Sequence, residues 1–398
     1  MSFNRLLVPG EILYGIDSFK ETGKLVSKFG TKALIISDPV MEKNRTAETC
    51  KDYLLKEGIS SSLYAGIESE PTDLHVDEAL SICKRENCDV IIAIGGGSCI
   101  DTGKAAAAIM TNGGHIRDYS GGKKEFTKKP LPFIAVPTTA GTGSEATKVT
   151  VITDTKSVVK MMISQPALLP AAAIVDPVLT MSCPPHVTAA TGVDAICHAV
   201  EAFISRRSQP LTDTLALKAI ELIMGSIRTA FENGEDKEAR NQMSLGSMLA
   251  GMAFSNSTVT LVHGMSRPIG AMFHVPHGIS NAMLLPAVLE FTKKEAADRL
   301  AEIAFLLKPE SKGKTSQEAA EEFIQDVKLL CMDLQIPNLC QWGIDRTQFI
   351  KTLPKMAEDA LASGSPCNNP KVPAHSEIKE LYQVCYNYNF SANPSAAR

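Results

Sequence analysis

Four residues of this chain, Asp194, His198, His263 and His277, have the types and spacings to hold one divalent transition metal. Asp194 and His198 lie in the helical stretch Thr191-Gly192-Val193-Asp194-Ala195-Ile196-Cys197-His198-Ala199-Val200-Glu201, and a spacing of four puts both side chains on one helix face. His263 and His277 bracket Pro268, Gly270 and Pro276, so the chain leaves one helix and enters another between them. An Asp-x-x-x-His pair by itself is also the pattern of a helix-surface hydrogen bond. Spacing alone favours the hydrogen bond. Four of the eight histidines, however, fall between residues 198 and 277 in apolar surroundings, where an unpaired carboxylate or imidazolium is costly and a metal offsets that cost.

A second group of residues has the chemistry of an anion cradle. After the apolar run Asp89–Ile94 the chain turns through Gly95, Gly96, Gly97 and Ser98 and opens a helix near Ile100. Consecutive glycines there let backbone N–H groups approach a diphosphate, and the helix N-terminus adds its dipole. This is not the G-x-G-x-x-G pattern, and a tight connection without a ligand is the plain alternative. Asp38, at the end of the run Lys32–Ser37, could accept hydrogen bonds from a ribose diol, or could simply cap the next helix. The loop Pro137-Thr138-Thr139-Ala140-Gly141-Thr142-Gly143-Ser144-Glu145 is dense in hydroxyl donors and suits phosphate, ribose or a turn.

The elements that must carry these groups follow from the hydrophobic pattern. Continuous apolar runs at 32–37, 89–94, 133–136, 149–152 and 173–175 alternate with amphipathic stretches that include helices through Lys56 and over 71–86. Such alternation is the mark of a parallel sheet covered on both faces. Beyond residue 185 the periodicity is helical almost throughout, over 187–205, 211–231, 237–254 and 316–334. The sequence therefore predicts an α/β nucleotide-binding domain over 1–184 and an all-helical metal-binding domain over 185–398. The terminal Ser391–Arg398 stretch reads as frayed.

A chain of 398 residues is too long for one ordinary core, which agrees with two domains. Forty basic and 44 acidic residues, with no basic block, argue against nucleic acid as a partner. No apolar run free of charges or glycine reaches membrane length, and the first ten residues lack a signal-peptide core, so the expectation is a cytoplasmic protein without a membrane partner. Ten cysteines show no C-x-x-C pair and read mostly as free core thiols.

Taken in order, these pieces resemble the iron-containing (group III) alcohol dehydrogenases. The resemblance rests on Gly95-Gly96-Gly97-Ser98-x-x-Asp101-x-x-Lys104, the Pro137–Glu145 loop, Ala190-Thr191-Gly192-x-Asp194-Ala195-x-x-His198, His263, and Pro276-His277-Gly278. It implies an NAD(H)-dependent oxidoreductase interconverting aldehydes and primary alcohols, with Fe2+, or Zn2+, held by Asp194, His198, His263 and His277. It further implies cofactor contacts from Gly95, Gly96, Gly97, Ser98, Asp101, Thr138, Thr139, Thr142 and Lys160, with Asp38 favouring NAD over NADP. A homodimer or larger assembly is expected on the same ground.

The main departure is Arg267, where many family members carry a second histidine that assists proton transfer. Arginine stays charged and relays no proton at neutral pH, which leaves His274, a ribose hydroxyl or water for that task. A guanidinium suits a carboxylate, sulfonate or phosphonate. The expected substrate is accordingly a short aldehyde with an anionic tail, such as sulfoacetaldehyde or a semialdehyde, with Arg267, Ser365 and Cys367 as substrate contacts. Three alternatives stand beside it: an Arg267 paired with a carboxylate away from substrate, a dehydrogenase for neutral alcohols or diols of the lactaldehyde, propanediol or ethanol type, and a non-catalytic cofactor-binding assembly.

Overall fold

The computed structural model describes residues 4–157 and 159–391. The expected fraying after Ser391 lies outside the described residues. Two compact units are present, one spanning Leu7–Cys183 and the other beginning at Pro184. Residues 4–6 cluster with the second unit rather than the first. There the side-chain amide of Gln209 donates to the Arg5 carbonyl at 3.2 Å, a contact too distant in sequence for pattern to reveal.

In the first unit, strands β1 (Glu11–Tyr14), β2 (Lys32–Ile36), β3 (Ser60–Tyr64), β4 (Val90–Gly95), β5 (Phe133–Pro137) and β8 (Ala172–Val175) form one parallel sheet in the order β1-β8-β5-β4-β2-β3. Helices α1 (Thr22–Val26), α2 (Pro39–Lys43), α3 (Thr46–Lys56), α4 (Asp73–Glu86) and α5 (Gly97–Asn112) connect them. Alternation along each strand divides the core. Ala33, Ile35, Val90 and Ile92 pack with Leu25, Cys50 and Leu54 of α1 and α3, whereas Leu34, Ile36, Ile91 and Ala93 pack with Val76 and Leu80 of α4 and Ala105 and Ile109 of α5.

The connectivity reverses at β2. One crossover leads outward to β3, and the next returns to β4 on the other side of β2. Ligands of open parallel sheets bind outside the carboxyl ends of strands at such a switch point. Here those ends are Asp38 after β2 and Gly95 to Gly97 after β4.

Three expectations are corrected in this unit. The single helix through Lys56 is two helices, because Arg45 takes a left-handed conformation (φ 66°) and Asn44 Oδ1 accepts from the Thr46 N–H and hydroxyl. Helix α5 starts at Gly97 rather than near Ile100, which brings Gly97 and Ser98 into its first turn. The apolar run 149–152 does not join the parallel sheet. As β6 (Val149–Asp154) it pairs antiparallel with β7 (Val159–Ser164), and its alternating burial is that of a strand with one covered face.

The second unit contains α6 (Pro185–Ile204), α7 (Pro210–Glu232), α8 (Lys237–Asn256), α9 (Leu261–Phe273), α10 (His277–Thr292), α11 (Ala297–Leu307), α12 (Ser316–Asp333), α13 (Arg346–Ala362) and α14 (His375–Tyr386). Helix α6 packs against α7, α8 and α10. It is long and apolar enough to cross a membrane, contrary to the expectation that no such run exists, but 83% of its apolar window is buried inside the protein. Its hydropathy is that of a core helix ringed by other helices. All ten cysteines are free, and only Cys340 and Cys367 are exposed.

Candidate active site

The candidate metal site is built on three helices of the second unit. On α6, Asp194, His198 and Glu201 are separated by four and three residues and so share one face, which is buried. Helix α9 carries His263 in its first turn and ends at His274 in a left-handed conformation (φ 54°), and α10 begins at His277. One ligand atom from each of Asp194, His198, His263 and His277 lies within 4.8 Å of the others, the single such group among the described residues. Asp194, His198 and His263 are 4% exposed or less.

The donor chemistry fits a cation. His263 Nδ1 lies 2.5 Å from Glu201 Oε2, so one ring N–H belongs there, and the ring in its neutral form presents its lone pair at Nε2. That nitrogen faces His198 Nε2 at 2.9 Å and lies 3.6 Å from Asp194 Oδ1. Ring nitrogens brought this close require a proton or a metal ion between them. Protein groups alone already polarise the cluster. Burial disfavours charge on His263, yet the Glu201 and Asp194 carboxylates outweigh it and raise the ring to about 9. Burial likewise opposes ionisation of Asp194, but His198, His277 and His263 hold its carboxyl well below the usual range.

Two residues of this site were missed from sequence. Glu201 accepts from His263, and also from the Thr260 hydroxyl at 2.8 Å and the Val262 N–H at 2.6 Å. Asn281, one turn after His277, donates from Nδ2 to Asp194 Oδ1 at 2.6 Å and lies 3.1 Å from His263 Nε2 and 3.2 Å from His277 Nε2. The available signal was spacing: Glu201 extends the Asp194/His198 face by three residues, and Asn281 sits four after His277.

Of the residues expected to contact substrate, Arg267 and Ser365 come together, Arg267 Nη1 donating to Ser365 Oγ at 3.1 Å. Arg267 lies one turn after His263 on α9. Burial pulls its guanidinium down from its ordinary value, with Glu201 opposing. Cys367 is exposed and its thiol donates to the Gly364 carbonyl. His274, considered for proton relay, is exposed at the end of α9.

In the first unit the glycine turn and the threonine loop meet. The Thr138 N–H donates to the Gly95 carbonyl at 3.0 Å. A Cβ at Gly95 would stand 2.4 Å from Cys99 Sγ, and one at Gly97 2.8 Å from Thr142 Cγ2, so both glycines are demanded by close packing. Asp38 caps α2, its Oδ1 accepting from the Val40 and Met41 N–H groups at 2.9 Å, while Oδ2 faces the Cys99 thiol at 3.7 Å. Lys160 pairs with Glu70 at 2.7 Å. The Asp101 carboxylate is used inside the protein, where it accepts from Ser144 Oγ at 2.6 Å and the Val151 N–H at 2.7 Å. It holds the loop in place from below.

Glu145 in that loop is 2% exposed. Burial pushes its carboxyl up to about 7, which its own backbone N–H and Lys104 only partly offset. The unfolded value is about 4.3, so the folded state binds the extra proton between these limits and stability falls as pH rises from about 4.3 to 7. Glu145→Gln mimics the protonated carboxyl. The variant should be more stable than the parent by about 3 kcal/mol at pH 8 and by only about 1 kcal/mol at pH 5. Denaturant unfolding at the two pH values checks this, and an equal difference at both would refute it.

Comparison with known proteins agrees with the geometry. The sequence model of iron-containing alcohol dehydrogenase matches residues 9–177, and that of the C-terminal part of the Fe-containing alcohol dehydrogenase family matches residues 188–386. A 1,3-propanediol dehydrogenase of Klebsiella pneumoniae is 37% identical over 385 residues, covering 96% of this chain and 98% of that one. A crystal structure of 1,3-propanediol oxidoreductase superposes with a TM-score of 0.93 at 36% identity, covering 97% of this chain and all of that one. The sulfoacetaldehyde reductase of Bifidobacterium kashiwanohense, solved in complex with NAD+, gives a TM-score of 0.87 at 27% identity, covering 98% and 100%. The chain belongs to the iron-containing alcohol dehydrogenase family and is an NAD-dependent, metal-dependent oxidoreductase of alcohols and aldehydes.

Proposed function

We propose that the protein interconverts a short-chain aldehyde bearing an anionic tail with its primary alcohol. The observation that carries this reading is Arg267, a partly buried guanidinium one helical turn from His263 and hydrogen-bonded to Ser365. Hydride passes directly between nicotinamide and the carbonyl carbon, so no protein nucleophile is needed and orientation is the main demand on the protein. In this reading Asp194, His198, His263 and His277 hold the metal. When bound, Fe2+ or Zn2+ supplies a Lewis acid for the carbonyl oxygen. Gly95, Gly96, Gly97 and Ser98 cradle the diphosphate at the start of α5, Thr138, Thr139 and Thr142 line the cofactor, and Asp38 and Lys160 face its riboses. Arg267 and Ser365 fix the far end of the substrate, with Cys367 at the edge of that loop. A homo-oligomer belongs to the same reading, and light scattering tests it.

A second reading, a neutral alcohol or diol as substrate, is favoured by a specific observation. The charge of Glu201 favours the charged form of Arg267, so the guanidinium has a partial counter-charge within the protein. The relatives named for 1,3-propanediol are also more alike in sequence than the sulfoacetaldehyde reductase.

One experiment separates the two readings. NADH consumption is followed with anionic and neutral short aldehydes for the parent enzyme and Arg267→Ala. Loss of a charge-assisted hydrogen bond, about 1.5–3 kcal/mol, should raise KM for the anionic aldehyde roughly ten- to hundredfold while propanal changes less than about threefold. Equal changes for both substrates would sink the anionic reading.

A further inference from the structure

We infer that Glu201 is a positioning residue of the metal centre: it fixes His263 in the tautomer that presents the Nε2 lone pair, and it anchors the helix turn from which His263 projects. This rests on reading Asp194, His198, His263 and His277 as the metal ligands.

The geometry is that of a carboxylate with both oxygens committed. Glu201 is 1% exposed. Oε2 accepts the His263 Nδ1–H at 2.5 Å, and Oε1 accepts the Val262 N–H at 2.6 Å and the Thr260 hydroxyl at 2.8 Å. Those last two donors belong to the residue before α9 and to its first turn. A carboxylate placed there answers N–H groups that the helix leaves unsatisfied and is favoured by the positive end of its dipole. One side chain thereby controls both the protonation pattern of the imidazole and the path of the backbone that carries it.

The arrangement also explains why a second carboxylate lies on the buried face of α6. Asp194 and His198 are the helix's own ligands, while Glu201, on the same face, reaches across to a ligand of another helix 62 residues away in sequence. A carboxylate hydrogen-bonded to the outer nitrogen of a ligand histidine raises its basicity and fixes the ring plane. A neutral amide at the same place accepts from only one direction and must turn an NH2 group towards either the ring N–H or the Val262 N–H.

The test compares Glu201→Gln and Thr260→Val with the parent full-length protein. Affinities for Zn2+ and Co2+ are measured by chelator competition, together with the visible spectrum of the Co2+-loaded protein and the thermal unfolding of the metal-free protein. Thr260→Val removes one capping donor and leaves the ring contact alone. Expected is a ten- to hundredfold weaker metal affinity and an altered Co2+ spectrum in Glu201→Gln, with Thr260→Val near the parent. Gln affinity within about threefold of the parent, or an equal loss in Thr260→Val, would overturn the inference. If Glu201→Gln does not fold, 15N NMR of the histidine rings in the Zn2+-loaded parent decides: a proton on His263 Nδ1 supports the assignment and its absence overturns it. A parent that binds neither ion would instead refute the metal reading itself.

Discussion

Replacing His263 by Ala is expected to abolish tight metal binding and to lower kcat/KM at least about a thousandfold. His263 sits at the centre of the cluster, its Nε2 2.9 Å from His198 Nε2 and 3.6 Å from Asp194 Oδ1, so its removal takes away the donor that the others surround. A Lewis acid is worth several kcal/mol at a developing oxyanion, and about 4 kcal/mol corresponds to that loss of rate. The substitution has a second consequence. Glu201 loses its ring donor and becomes a buried carboxylate satisfied only by Thr260 and Val262, which raises the cost of its charge. Metal content by elemental analysis and NADH oxidation with excess Fe2+ or Zn2+ check the prediction. Retention of one ion per chain with kcat/KM within tenfold of the parent would contradict it. Chelation of the parent enzyme followed by reloading should reproduce the loss and then reverse it, which separates absence of metal from damage to the fold.

The parallel sheet was legible because strands buried on both faces are written as continuous apolar runs, as in Val90–Ile94. The hairpin was not. The run at 149–152 has the same composition as a sheet strand, and only its partner at 159–164 places it elsewhere. The break at Arg45 hid for a similar reason: Asn44 and Thr46 form a local hydrogen-bonded turn that outcompetes an otherwise continuous helical pattern. Helix α6 shows the opposite difficulty, since composition alone cannot separate a core helix from a membrane span.

At the site, the grouping of Asp194, His198, His263 and His277 was readable because these are rare residue types in apolar surroundings. Glu201 was not, since a lone glutamate on a helix has many ordinary roles and its partners lie 59 to 62 residues onward. Asp101 and Lys160 illustrate the converse. Motif position suggested cofactor contacts but not the protein partners these side chains take, Ser144 and Val151 for Asp101 and Glu70 for Lys160.

The second large effect is expected from Lys104→Met. Lys104 is 1% exposed, and its ammonium spends all three donors inside the protein, on Ser144 Oγ and Thr147 Oγ1 at 2.8 Å and the Val149 carbonyl at 2.7 Å. It ties α5 to the threonine loop and to β6. Methionine fills a similar volume but leaves those acceptors without a donor and deprives the Asp101 carboxylate of its neighbouring cation. Breaking a buried, hydrogen-bonded charge of this kind costs about 3–5 kcal/mol. The single tryptophan, Trp342, lies in the helical unit, so its fluorescence does not report the change. Hydrogen exchange over residues 133–154 does, and KM for NADH should rise with it. The pH dependence sharpens the test. Burial lowers Lys104 to about 8, against the pull of Asp101 and Glu145, so between about pH 8 and the unfolded value near 10.4 the unfolded chain holds the extra proton. Parent stability therefore gains from this group as pH rises through that window, and the Met variant has no such group. The gap between the two should widen from pH 8 to pH 9.5. A gap that stays below about 1 kcal/mol would show that Lys104 does not hold the loop, and one that narrows over that range would show that burial does not lower its ammonium.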